Sequence, residues 1–186
     1  MSLEKFYEHL EIILRFTKET KAIRKAKPLT ETGSERKRLT DQFMTRYFRL
    51  YLLIRNNPDL KLDPKYKDFI IESQHLLRSL TSELNRYIGG IENRLRTIFE
   101  YNEWEGIICP CRSAVEAVKE MYRGTAFEER YEESNPYALD LDTEDLDDSI
   151  EMKAHKEGYL KEDQIPKGIP TSHWWWWSPE EPPSSR

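Results

Sequence analysis

Two pairs of side chains have types and spacings that could hold a metal or support catalysis. Glu72 and His75 are three residues apart, which places a carboxylate and an imidazole on one face of a helix. Di-iron bundles use this motif twice with two further carboxylates, and the chain has one copy. Cys109 and Cys111 could supply two thiolates, but structural zinc needs four ligands and no partner pair follows. We therefore predict a protein that is not an enzyme and that holds no metal and no cofactor.

Four consecutive tryptophans near the C-terminus, Trp174 to Trp177, are the most unusual residues of the chain. Burying half of four indoles would contribute roughly 10 kcal/mol of gross transfer energy, before the cost of ordering the tail. The segment should therefore pack on a surface. We predict that it docks on a protein partner or on a neighbouring copy, with these contact residues: His173, Trp174, Trp175, Trp176, Trp177 and Ser178. The alternatives are an accidentally biased terminus without a function and a strap that lies over the core of its own chain.

A basic stretch between Lys21 and Arg55 supports a second hypothesis. It contains ten basic residues and three acidic ones, and clustered Lys and Arg can neutralise phosphates without reading sequence. The residues that could contact a polyanion are Lys21, Arg24, Lys25, Lys27, Arg36, Lys37, Arg38, Arg46 and Arg49. Nucleic-acid binding is therefore the alternative function. A solvated helix face with intramolecular ion pairs would explain the same residues.

The charge of the chain is divided unevenly along its length. The net charge is −5, yet residues 1–127 carry 23 Lys and Arg against 18 Asp and Glu, whereas residues 128–186 carry six against 16. Residues 128–151 alone hold eleven acidic side chains beside Arg130. An acidic tail could therefore cover the basic stretch until a polyanion competes with it.

Composition also bears on the cellular compartment. No apolar run approaches the 18 residues expected of a membrane-spanning helix, and no hydrophobic region of a secretory signal follows the N-terminus. The four tryptophans lack the neighbouring Lys and Arg that usually accompany interfacial anchors. Two cysteines too close in sequence to pair with each other suit a reducing compartment. We expect a cytoplasmic protein without membrane contacts.

Hydrophobic periodicity predicts an all-α fold. Apolar residues recur at helical spacing throughout residues 1–127, and no stretch there alternates with period two. We predict a bundle of four to five helices over 1–127, followed by an acidic, mostly irregular arm over 128–186. The predicted helices cover residues 3–26, 34–55, 63–101 and about 110–124, with a short one around 143–157.

Two details of the predicted bundle depend on glycine and proline. Residues Pro28 to Gly33 should form a linker, with Ser34 capping the second helix. Gly89-Gly90 lies in the middle of the long third helix, where a kink, a close helix crossing or a break into two helices could occur. We favour a kink or a crossing, because the apolar stripe resumes in phase after the pair. Together these features favour a non-enzymatic adaptor or assembly subunit whose tail docks on its partner.

Overall fold

Six α-helices and no strand occur in the part of the chain that the computed structural model describes, residues 3–97, 104–123, 141, 143–157, 160 and 162–177. The helices are α1 (Leu3–Ala26), α2 (Leu29–Asn56), α3 (Pro64–Arg78), α4 (Thr81–Thr97), α5 (Cys109–Met121) and α6 (Glu144–Glu157). A π-helical turn, Trp104–Ile108, leads into α5, and 3₁₀ turns lie at Pro58–Leu62, Glu162–Gln164 and Trp174–Trp176. The all-α prediction is confirmed for these residues, and α6 matches the short helix expected around 143–157.

The first two helices form a hairpin with almost no connection. The predicted linker over 28–33 is wrong, because α2 begins at Leu29 and Pro28 is its N-cap, with φ −66° and ψ 162°. Ser34 therefore lies inside the helix and does not cap it. A proline at a helix start needs no hydrogen-bonded N–H, and the Thr32 hydroxyl donates to the Pro28 carbonyl at 2.9 Å. The short connection makes α1 and α2 pack side by side along their length.

The broadly apolar second helix is central to the fold. α2 packs against α1, α4 and α5, and its buried side chains lie on several sides of the helix. Inside this packing Arg36 Nε donates to Glu83 Oε1 of α4 at 2.8 Å, and both side chains are at most 5% exposed. A buried charge must be paired to be tolerated, so this ion pair joins α2 to α4.

The prediction of one long helix over 63–101 is wrong, because two helices, α3 and α4, occupy the described part of this range. α3 begins at the predicted position, where Asp63 caps it by accepting from the Lys65 amide at 2.8 Å. The helix then ends at Arg78, where the Ser79 hydroxyl donates to the Leu76 carbonyl at 2.6 Å. Serine hydroxyls compete in this way with helical hydrogen bonds. The buried Leu80 keeps the apolar stripe continuous across the break, which is why periodicity alone does not reveal it.

The glycine pair does not interrupt α4. Gly89 and Gly90 lie within the helix, and a Cβ placed on either would meet no described atom within 4 Å. The predicted close helix crossing is therefore absent from the described part of the structure. None of the described helices is both long and apolar enough to cross a membrane.

Candidate functional site

The tryptophan segment lies on the body of its own chain. Trp175 and Trp176 are each 1% exposed and His173 is 0% exposed, whereas Trp174 retains 37% of its surface. Trp177 is partly buried against the same core, and Ser178 lies outside the described residues. We call the surface that receives this segment the tail pocket, and its wall residues are Phe48, Tyr51, Trp104, Cys109 and Ser113.

One hydroxyl group at the centre of the tail pocket binds three side chains of the tail. Ser113 Oγ accepts from the indole N–H of Trp176 at 2.8 Å and of Trp175 at 3.1 Å, and it lies 3.0 Å from His173 Nδ1. A hydroxyl has two acceptor lone pairs and one proton. Because both indoles can only donate, this arrangement assigns the hydroxyl proton to His173 Nδ1. The imidazole is therefore neutral, with its own proton on Nε2.

The His173 ring lies between aromatic side chains of the body and of the tail. It stacks on Tyr51 at a centroid distance of 5.7 Å and on Trp175 at 4.8 Å. Its Nε2 is buried without a hydrogen-bond partner among the described residues. Burial lowers the pKa of His173 to about 4, although the carboxylate of Glu116 acts in the opposite direction. The buried ring is therefore uncharged at neutral pH.

The backbone and ring of Trp175 are held by the start of α5. The Trp175 carbonyl lies 3.2 Å from Cys109 Sγ and 3.4 Å from Trp104 Nε1, and its indole N–H lies 3.3 Å from the Cys109 carbonyl. The Arg112 guanidinium sits 4.2 Å from the centroid of the Trp175 ring. Arg112 also donates to both carboxylate oxygens of Asp147, at 2.7 and 2.9 Å. α5 therefore anchors the tail and α6 through adjacent side chains.

Neither of the two residue pairs considered for metal binding or catalysis, Glu72 with His75 and Cys109 with Cys111, is arranged for that chemistry. His75 is exposed, and Glu72 pairs with Lys18 at 2.5 Å. Burial raises the pKa of both the Cys109 and the Cys111 thiols, so neither is a thiolate at neutral pH. Among the described residues no group of three or more His, Cys, Asp or Glu side chains could hold a metal ion. The absence of catalytic activity stays a prediction.

A second surface lies between α1 and α2, and we call it the basic groove. It encloses about 550 Å³, and its wall residues are Ile12, Arg15, Phe16, Ser34, Lys37, Arg38, Asp41, Gln42, Thr45, Arg46 and Arg49. Five of these side chains are cationic and one is a carboxylate. Lys37 pairs with Asp41 at 2.8 Å, and Arg46 lies 3.8 Å from Glu8. Ion pairs that stay partly open to solvent contribute little to stability, so their cations can exchange partners.

The nine basic residues singled out from the sequence do not form one surface. The structure brings together Lys37, Arg38, Arg46 and Arg49 in the basic groove. The others on α1 and its connection lie outside the groove wall, and they are Lys21, Arg24, Lys25 and Lys27. Arg36 requires a correction, because its buried ion pair with Glu83 removes it from any polyanion.

One important residue in each of the two surfaces was not identified from the sequence. Arg15 completes the basic groove from α1, and the pairing of two long helices through a short connection could have indicated it. Ser113 falls inside the helix predicted over about 110–124 without an assigned binding role, yet it binds three tail side chains. No local signal marks a serine as a hydrogen-bond centre, because its partners are 60 or more residues away.

The described part of the acidic segment is α6, and its contacts lie on α4 and α5. α6 packs on α4, and Asp147 is bound to Arg112 of α5. Residues 128–140, which carry part of the predicted acidic cover, lie outside the described residues. Masking of the groove stays a prediction for that segment.

The two surfaces define an all-α protein with one aromatic pocket filled by its own tail and one open basic groove. Comparisons with protein-family models, with curated proteins and with solved structures find no match to this chain. Its function therefore has to be inferred from its own residues.

Proposed function

We propose that this is a non-enzymatic protein that binds the phosphate backbone of a nucleic acid in the basic groove. One observation supports the proposal above the others: five cationic side chains and a single carboxylate form the groove wall, although the chain as a whole has a net charge of −5. In an acidic protein, such a local excess of positive charge attracts anions to one place. Phosphate contacts from Lys and Arg give affinity without requiring a particular base sequence.

The spacing of the cations along α2 suits a chain of phosphates better than a single anion. Arg38 and Arg49 are eleven positions apart with Arg46 between them, which is about 16.5 Å along the axis at 1.5 Å per residue. Arg15 contributes from α1 on the opposite wall. The Arg15 guanidinium rests 4.9 Å from the centroid of the Phe16 ring, so part of the groove wall is aromatic. A backbone lying along α2 could therefore meet several guanidinium groups in turn.

Charge reversal in the groove is expected to weaken nucleic-acid binding on the order of 100-fold at low salt, because it replaces phosphate attraction with repulsion. The variant is Arg38→Glu with Arg46→Glu and Arg49→Glu, and the measurement is fluorescence anisotropy of a labelled single-stranded oligonucleotide. For the unaltered protein, contact with about five phosphates predicts a slope of log K against log salt near −3.5.

A matched control changes the net charge equally at exposed positions outside the groove. It combines Lys61→Glu, Lys67→Glu and Arg96→Glu, and we expect it to lose far less affinity than the groove variant. Equal losses in both variants would attribute binding to overall charge and would contradict a site in the groove. Retention on heparin without binding to the oligonucleotide would point to a sulfated polyanion instead.

Docking through the tryptophan tail is a second proposed function, that of an adaptor or assembly subunit. The supporting observation is that the tail contacts the body as a short segment with a definite anchor pattern, while Trp174 remains 37% exposed. Recognition of short segments through a few aromatic anchors is a general mode of binding. To dock elsewhere, the tail must leave its pocket without unfolding the helices.

Native-state hydrogen exchange tests whether the tail opens separately. We expect the indole N–H groups of Trp175 and Trp176 to exchange through an opening at least about 2 kcal/mol less costly than global unfolding, because local segments often open first. The amides of Met44 and Tyr47, which are buried in α2, provide the global reference. Identical opening free energies for tail and helix would show that the tail opens only on unfolding, which would contradict a docking function.

A further inference from the structure

We infer that the tail pocket also binds the tryptophan tail of a second copy of this chain, so that copies can exchange their tails. The inference rests on the second proposed function and names the partner and the receiving surface for it. It is independent of the basic groove. The pocket is a surface with a known occupant, because the chain carries both the binding site and the segment that fits it.

The polar groups of the tail pocket select a particular order of side chains. Ser113 needs two indole donors and one imidazole acceptor at the same time. The Cys109 carbonyl and the Trp104 indole N–H both contact Trp175. A ligand must therefore offer a histidine followed, two and three residues later, by tryptophans. The C-terminal segment of another copy satisfies this requirement without any change.

The covalent connection between body and tail is long enough to permit exchange. Seventeen residues separate Arg123 from Leu141, and a chain of this length can span at most about 60 Å. A folded chain of 186 residues has a radius of gyration of about 16 Å. The tail could therefore reach the pocket of a neighbouring molecule that touches its own, together with α6, whose Asp147 binds Arg112 beside the pocket.

Binding within one chain competes with binding between chains. A tethered segment experiences an effective concentration that is commonly in the millimolar range. Intact molecules are therefore expected to be monomers at micromolar concentration, with each tail in its own pocket. Removing the intramolecular option should reveal the contact between molecules, because the same atoms then meet in a second copy.

Complementation between two defective full-length chains provides the test. One chain carries Trp175→Ala and Trp176→Ala, so its pocket lacks a ligand; the other carries Ser113→Val, so its tail lacks a pocket. Each alone should be a monomer of 22.3 kDa. The two chains are mixed at about 100 µM, which is well below the effective concentration of a tethered tail. They should form a 1:1 complex of twice the monomer mass, measured by light scattering after gel filtration.

Two controls define the outcome of the mixing experiment. A chain that carries all three substitutions should form no complex with the Trp175→Ala, Trp176→Ala chain. The second chain still has an intact pocket, but neither chain has an intact tail to fill it. A Trp174→Ala chain should remain a monomer in every mixture, since its buried anchors are intact. A mixture of the two defective chains that stays monomeric, although circular dichroism shows that both are folded, would overturn the inference.

Intact chains provide a second test in case a defective chain does not fold. A photo-reactive residue replaces the exposed Trp174, and isotopically heavy and light chains are mixed. Cross-links between heavy and light chains that map to the start of α5 should rise with concentration toward about 1 mM. Cross-links found only within single chains over this range would overturn the inference. If hydrogen exchange still showed independent opening of the tail, docking on a different protein would remain as the second function.

Discussion

Trp175→Ala is expected to lower the free energy of unfolding by about 3–5 kcal/mol, the range observed for truncating large buried aromatic side chains. Trp175 is 1% exposed and belongs to the main hydrophobic core. Removing the indole leaves a cavity. Ser113 also loses a hydrogen-bond donor, and the Arg112 guanidinium loses the aromatic ring on which it lies. Urea-induced unfolding followed by circular dichroism measures the change.

The neighbouring tryptophan provides a control of the same chemistry. Trp174 is 37% exposed, so we expect Trp174→Ala to cost less than about 1 kcal/mol. A tail that served only to bind another molecule would show no effect of either substitution on the isolated protein. Equal costs for Trp174 and Trp175 would contradict the burial pattern on which the tail pocket is defined.

Acidification is expected to remove about 3 kcal/mol of stability through His173. The pKa of His173 is about 4 in the folded protein, against an ordinary value of 6.5. The unfolded chain therefore binds the proton more readily, so this contribution is fully present above pH 6.5 and is lost as the pH falls toward 4. A protonated imidazole would carry a proton on Nδ1, which faces a Ser113 oxygen already accepting from two indoles.

Comparison of variants isolates His173 from the other groups that titrate in this range. Urea unfolding is measured at about pH 7.5 and about pH 4.5 for the unaltered protein and for His173→Gln, which keeps an acceptor for Ser113 but does not titrate. We expect the pH-dependent loss to be about 2–3 kcal/mol smaller in His173→Gln. His75→Gln at an exposed position should leave the loss unchanged. The same loss in all three proteins would contradict the assigned role of His173.

The second helix connects the two surfaces of the protein. Four of its cationic side chains, Lys37, Arg38, Arg46 and Arg49, lie on a wall of the basic groove. Phe48 and Tyr51 instead contact His173 of the tail. Adjacent residues Phe48 and Arg49 therefore serve different surfaces, because successive side chains on a helix point about 100° apart. Substitutions in the groove and in the tail pocket can for this reason be tested separately on one element.

Local sequence signals were sufficient for the helical class of the fold. The apolar stripe of α1 and the Asp63-Pro64 start of α3 are properties of neighbouring residues, and both appear where they were predicted. The two helix boundaries that were predicted wrongly lie at residues whose local sequence is compatible with more than one structure. Pro28 can end one helix or begin the next, and the stripe through Leu80 continues across a break that Ser79 creates. Periodicity reports which side of a segment is apolar and does not report whether the backbone is continuous.

The sequence by itself also indicated that the four adjacent indoles would pack on a surface, because the free energy of removing them from water is a property of their own surface area. Only the tertiary structure decided where. The partners of His173, Trp175 and Trp176 meet in Ser113, 60 or more residues away, and Arg36 turned inward to Glu83 while Arg38 and Arg46 faced the groove. Such pairings depend on how whole helices pack, which no single segment of the chain encodes.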